Sequence, residues 1–329
     1  MTNTSATPIS AGMAGVAFLL GGTVMISIND MLMKALSGDY PLHQLVLIRS
    51  LIGVCFSLAI VQAEGGWSVL RTRRPWLHLL RGALIVSANM TYFLALAVLP
   101  LADATALFFV APLLITLLSI PVLGETVGPW RIGAVLVGLA GVILMQRPWA
   151  SSEVLGASRL VMLLPVFAAF AYALMQIITR KIGAESKASA MAVYIQAIFI
   201  VVSLGFGLVA GDGRFVDENS GASLQFLLRA WVWPPSHDWL TLLGLGFCSA
   251  IIGYALSQAY RLSDAATVAP FEYAALPLAV FWGWYIWGDL PVIEVWLGMA
   301  LIAGSGLVVF LRERIRTRRP ARGPAKGRY

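Results

Sequence analysis

Two stretches decide how this chain is read: LADATALFFVAPLL at residues 101–114 and SDAATVAPFEYAALPL at residues 263–278. Each opens on a small polar run with one aspartate, Asp103 or Asp264, and passes into an apolar run punctuated by proline. Each is followed by a glycine–acid pair, Gly124–Glu125 in LGET and Gly288–Asp289 in WGDL. A small-residue-rich segment closes both, WRIGAVLVGLAG at 130–141 and VWLGMALIAGSG at 295–306. Gly133 and Gly141 align with Gly298 and Gly306 once a gap of about three residues is allowed. The chain therefore contains an internal repeat.

The composition says what surrounds the repeat. The 329 residues are 59% hydrophobic and 12% charged, with a mean hydropathy of +0.82. A soluble domain carries about 25% charged residues. Half that share cannot clothe a water-facing surface, so most of the surface faces lipid. A spanning helix needs about 20 mostly apolar residues. Ten such segments are expected, at 11–35, 41–62, 76–98, 102–122, 128–146, 159–181, 188–210, 239–261, 265–287 and 292–311. The predicted fold class is all-α integral membrane, with repeats at 11–146 and 159–311 and a basic tail at 312–329. Five spans per repeat is an odd number, so the halves must insert in opposite orientations, the architecture of many secondary transporters.

Charge placement orients the chain. With both termini cytoplasmic, the inner loops and tail carry sixteen Lys and Arg and the outer side five, a clear positive-inside bias. Eight of these cations lie in 312–329, read as a topology signal or a contact for anionic lipid. The net charge of +7 is thus not a nucleic-acid footprint, and no nucleic-acid partner is expected. Residues 1–10 lack a basic n-region, so no cleavable signal is expected. The connector 211–238 is read either as an amphipathic interfacial helix anchored by Trp231, Trp233 and Trp239 or as a plain connector.

Ionisable groups inside the spans carry the functional reading, because they are costly in hydrocarbon and normally turn inward. Asp30 and Arg49 lie about 10 Å below the same face on helices joined by a short turn, and an ion pair between them is predicted. Lys34, one turn above Asp30, is expected to snorkel. Near the opposite face, Arg81 and Glu272 are expected to approach each other or to share a substrate. Glu272 sits in APFEY, where Phe271 and Tyr273 flank it and Pro270 weakens the helix. Aromatic faces beside a carboxylate suit a flat or cationic solute. Tyr172, Gln176 and Thr179 share one helical face, as do Tyr254, Gln258 and Arg261, while Asn29, Asn89 and Tyr92 add further hydrogen-bonding groups. For each of these residues a structural clamp between helices is the competing account. Gly133, Gly138, Gly141, Gly298, Gly304 and Gly306 are read as packing positions, either within the chain or in a homodimer. Pro112, Pro121, Pro270 and Pro277 are read as kinks for rocking or as static packing features.

The whole chain resembles the drug/metabolite transporter superfamily, in its EamA-type ten-helix branch. The resemblance is carried by PLADATALFFVAPLLITLLSIPVLGETV at 100–127, by AVLVGLAGVILMQRP at 134–148, and by the second-half copy. SINDMLMKALSGDYPLHQLVLIRSLIG at 27–53 and RPWLHLLRGALI at 74–85 are similar to the bacterial S-adenosylmethionine and riboflavin importers. The resemblance implies an inner-membrane transporter with a central cavity between helices one, three, four, six, eight and nine. Its expected partners are a small-molecule substrate, the lipid bilayer and a coupling proton. Export of amino acids or drugs is the alternative within the superfamily; a channel or membrane enzyme is the alternative outside it. An enzyme needs a constellation that is missing: His43, His78 and His237 are scattered, and no HExxH, GxSxG, P-loop or CxxC occurs. Cys55 and Cys248 read as small apolar residues. No metal site and no cofactor is expected.

Overall fold

A computed structural model describes residues 8–72, 74–124, 128–147, 149–150, 158–182, 188–217, 220–262 and 269–317. Every regular element among them is helical. The first three spans are continuous: α1 (Pro8–Leu36), α2 (Leu42–Glu64) and α3 (Pro75–Leu96). The fourth is split into α4 (Leu101–Phe108) and α5 (Ala111–Leu123). The break falls at Phe109–Val110, just ahead of Pro112, whose ring and missing N–H weaken a helix running through it. α6 (Pro129–Gln146), α7 (Arg159–Ile182) and α8 (Ala188–Ala210) follow, then a short α9 (Ala222–Leu228) and α10 (Trp239–Leu262). The ninth span is broken as well: a 3₁₀ stretch (Ala269–Ala274), α11 (Ala275–Trp282) and a π-helical turn (Gly283–Trp287) run on from one another. α12 (Ile293–Thr317) is the last element. Asp264, Glu125, Lys187 and the tail beyond Thr317 lie outside the described residues.

The bundle is apolar on its outside. Seven stretches are long and apolar enough to cross a membrane, and α6 and α12 contribute shorter apolar runs, Ile132–Gln146 and Ile293–Val308. Leu208 is 87% exposed and Leu160 77%, which only a lipid environment makes favourable over such an area. The protein is a multi-pass membrane protein.

The helix pairing has a symmetry of its own. α1 packs along α10, and α3 along α7. α2 packs along α8, and α6 along α12. α2 also meets α10, as α8 meets α3. Exchanging α1, α2, α3 and α6 for α7, α8, α10 and α12 in that order turns each of these pairs into another member of the set or into itself. Gly124 and Gly288, aligned by the repeat, both close their helices in the left-handed conformation, with φ of 70° and 72°. That conformation is natural for glycine at a helix C-terminus.

Four of the six singled-out glycines pack within the chain. A Cβ on Gly298 would stand 2.9 Å from the carbonyl oxygen of Gly141 and 2.2 Å from Met145 Cγ, and one on Gly141 would stand 2.9 Å from the carbonyl oxygen of Gly298. Gly138 meets Leu113 and Ser305, and Gly306 meets the Tyr273 ring. Gly133 and Gly304 face open space.

The connector 211–238 is more than a tether. His43 Nδ1 lies 2.9 Å from the Leu227 carbonyl oxygen, and the Gln44 amide clamps Val232, donating to its carbonyl oxygen at 2.6 Å and accepting from its N–H at 3.1 Å. Tyr40 donates to Asp238 at 2.5 Å, and Ser223 to the carbonyl of Leu94 at 2.8 Å. α9 drives Phe226, 1% exposed, into the core beside Met33, Tyr40, Leu96 and Leu99. Trp233 remains outside, 85% exposed.

The α6–α12 contact generates a stability prediction. Gly298→Leu overpacks the crossing and is expected to cost about 1–3 kcal/mol, read as a lower midpoint in detergent thermal unfolding. Gly304→Ala, which meets nothing, is expected to leave the midpoint unchanged.

Candidate substrate site

The buried polar groups of a first cluster come from four helices. α1 supplies Ser27, Asn29 and Asp30; α2 supplies Arg49 and Ser50; α3 supplies Asn89 and Tyr92; and α4 supplies Thr105. Asp30 is 9% exposed and Arg49 5%. Two charges so deeply withdrawn need partners. The Asp30 carboxylate accepts from Asn29 Nδ2 at 3.0 Å and from the Tyr92 hydroxyl at 3.2 Å. Tyr92 also lies 3.0 Å from Thr105 Oγ1. A phenol has one proton, so with Tyr92 donating to the carboxylate, Thr105 donates to Tyr92. Arg49 Nη2 donates to Asn89 Oδ1 at 2.9 Å, and Asn89 in turn donates to the Ile85 carbonyl. The guanidinium is sandwiched between Phe93 and Phe199, 5.2 Å from each ring centre.

The expected direct Asp30–Arg49 ion pair is not formed. The two charges sense each other electrostatically, but neutral hydrogen-bonding groups occupy the near positions around each. Several groups are left without a partner: Asn29 Oδ1, Arg49 Nε, Ser27 Oγ and Ser50 Oγ. A buried unsatisfied donor or acceptor costs about 1–3 kcal/mol, and α1 and α2 each leave such groups unsatisfied. Lys34 does not snorkel free either. Its amine donates to the carbonyl oxygens of Leu96 at 3.0 Å and Leu99 at 2.6 Å.

A second cluster lies between α3 and α7. Arg81, 8% exposed, donates from Nε to Thr179 Oγ1 at 2.8 Å, and Gln176 Nε2 donates to the Tyr172 hydroxyl at 2.7 Å. The expected direct approach of Arg81 to Glu272 is not seen among the described contacts; Arg81 Nε is directed to Thr179. Tyr172 lies within electrostatic range of both Arg81 and Glu272. An aromatic ladder joins the two clusters: Tyr92 to Phe108 at 5.3 Å, then Phe108 to Tyr172 at 5.4 Å. Phe109 continues to Tyr273 at 5.4 Å.

Other expected residues sit elsewhere. Phe271 is exposed, so it does not flank Glu272 inside the bundle as Tyr273 does. Tyr254 packs edge-on against Phe18 at 6.2 Å, away from the two clusters, and Gln258 makes no hydrogen bond among the described residues. The apolar groove between α11 and α12, of about 410 Å³, includes only Tyr273 of the expected set. Sequence reading missed Phe93, Thr105, Phe108, Phe109 and Phe199. Phe108–Phe109 had a visible signal, paired aromatics ahead of a helix-breaking proline; the others look like ordinary span residues.

A lipid-facing helical bundle with polar groups gathered on an internal seam defines a multi-pass integral-membrane protein with a polar interior. The chain belongs to the EamA-like transporter family, whose pattern matches residues 13–147. It is 32% identical to a riboflavin transporter of Rhizobium johnstonii over 81% of this chain and 80% of that one. It is 24% identical to an S-adenosylmethionine uptake transporter of Rickettsia prowazekii, over 91% and 93% of the two chains. The pseudopaline exporter CntI of Pseudomonas aeruginosa is 26% identical over 90% and 93%. A solved crystal structure superposes with a TM-score of 0.62 over 94% of this chain and 99% of its own, at 24% identity, a likeness of fold alone.

The surroundings of Asp30 and Arg49 predict a compensation. Arg49→Met leaves Asp30 buried without its countercharge and is expected to destabilise by up to about 3 kcal/mol. Asp30→Asn in the same chain is expected to restore part of that loss. Both are read by thermal unfolding in detergent.

Proposed function

We propose that the protein is a secondary active transporter importing a riboflavin-like or S-adenosylmethionine-like metabolite across a bacterial inner membrane by alternating access. In this reading ten spans form two inverted halves, 11–146 and 159–311, and both termini are cytoplasmic. The exchange symmetry of the helix pairs supports the inversion. The observation that carries the site is the seam from Asn29, Asp30, Arg49, Asn89 and Tyr92 through Phe108 to Tyr172, Arg81 and Glu272, with unpartnered donors and acceptors on α1 and α2.

The chemistry of the seam favours a flat heteroaromatic solute. The aromatic ladder offers ring faces, and Arg49 Nε with Asn29 Oδ1 offers a donor and an acceptor to a polar edge. Asp30 is engaged by neutral partners, so it does not stand waiting for a cation; a sulfonium would have to draw on Glu272. The riboflavin-like solute is therefore the first choice, in line with the name of the Rhizobium relative. Export is the second reading, favoured by the exporter relative, and the sign of net flux separates the two.

Labelled riboflavin and S-adenosylmethionine, offered to proteoliposomes under an inward proton gradient with unlabelled competitors, test this. Saturable accumulation of one of them is expected; flux that does not saturate, or exit only, would count against import. Coupling runs through Glu272 or Asp30 as the proton carrier. Glu272→Gln is expected to abolish gradient-driven accumulation while leaving binding within about twofold. Accumulation that survives this change removes Glu272 from that role.

A further inference from the structure

One end of the seam is closed by a charge that the site itself does not use. The half-buried amine of Lys34 holds the carbonyls of Leu96 and Leu99, at the C-terminus of α3 and in the turn leading to α4. These carbonyls have no helical donor and lie at the negative end of the α3 dipole, where a cation is favoured. The same amine stands 5.4 Å from the ring centre of Trp287, in the π-helical turn of the second half. Asp103 and Asp289 are within electrostatic range, and Asp103 Oδ1 is buried with no hydrogen-bond partner.

Lys34 thus ties α1 to elements it otherwise touches little, since α1 and α3 meet only sparsely. Around it Met33, Leu36, Leu99, Leu101 and Phe226 close into one apolar core. Ser27, with its hydroxyl unpartnered, lies two turns below Lys34 on the same face of α1. A static crossing would be held as well by an apolar side chain, without the cost of burying a charge. What an ammonium on a flexible stem adds is reversibility, because its three donors can exchange carbonyl oxygens for water.

We propose that Lys34 is the outer latch of the transport cycle, closing the seam to the outside by joining the α3 terminus to the Trp287 turn and releasing both when the outer side opens. This rests on the alternating-access reading with cytoplasmic termini. Opening the latch exposes Ser27 to external water; closing it shields Asn29 and Asp30.

The test uses a Cys55→Ser/Cys248→Ser chain carrying Ser27→Cys in oriented membrane vesicles. A membrane-impermeant methanethiosulfonate reagent is applied from either side. Adding Lys34→Gln is expected to speed labelling from the outer side about tenfold, as the loss of one charge-assisted hydrogen bond implies. Lys34→Arg, which retains donors and charge, is expected to label near the parent rate. Should Lys34→Gln fail to fold, Trp287→Leu removes the second-half contact and is expected to accelerate labelling in the same direction. Unchanged outer labelling in whichever of the two folds, or acceleration from the cytoplasmic side alone, overturns the latch. Labelling needs no substrate, so a failed latch leaves the uptake result standing, and failed uptake leaves the labelling result readable.

Discussion

Hydrocarbon offers no water to a polar group, and the rest of this structure follows from that constraint. Backbone groups are satisfied inside helices, which is why every described element is helical. Asp30, Lys34, Arg49 and Arg81 find partners among carbonyls, amides, hydroxyls and ring faces. Arg49 between two phenyl rings and Asp30 between an amide and a phenol are instances of one solution. Each charge is held without being neutralised, and capacity is left over for a ligand.

The helix breaks serve the same end. Pro112 follows the break between α4 and α5, Pro270 lies in the 3₁₀ stretch that precedes α11, and the two segments meet where α4 packs against α11. Irregular backbone at membrane depth is tolerated where it is enclosed by protein. Here the first break sets Phe108 between Tyr92 and Tyr172, and the second brings Tyr273 against Phe109. The aromatic ladder is thus built at the weak points of two helices, where a small backbone adjustment would shift ring positions most.

Close approach supplies rigidity elsewhere. The α6–α12 crossing depends on paired glycines whose partners are each other's carbonyls, and the connector 211–238 is pinned by His43, Gln44 and Tyr40. A bundle firm at these places and loosely joined between α1 and α3 is suited to motion of groups of helices rather than to uniform softening.

The sequence alone determined the membrane setting, the all-helical character and the helix faces carrying the polar residues. These properties are local: they follow from hydropathy over about 20 residues, from helical period and from proline chemistry. Asp30 and Arg49 were legible together because charge in an apolar run stands out; that Asn29, Asn89 and Tyr92 gather around them is seen only in the packed helices. Partner choice was left to the tertiary structure. Whether Asp30 meets Arg49 or Tyr92, whether Arg81 meets Glu272 or Thr179, and whether Lys34 reaches water or the end of α3 turns on differences of an ångström or two between packed helices. Hydrogen bonding falls away over such distances, and no pattern along one chain encodes them. Phe93 and Phe199 were invisible for the same reason: in a span, a phenylalanine facing lipid and one facing a guanidinium read alike.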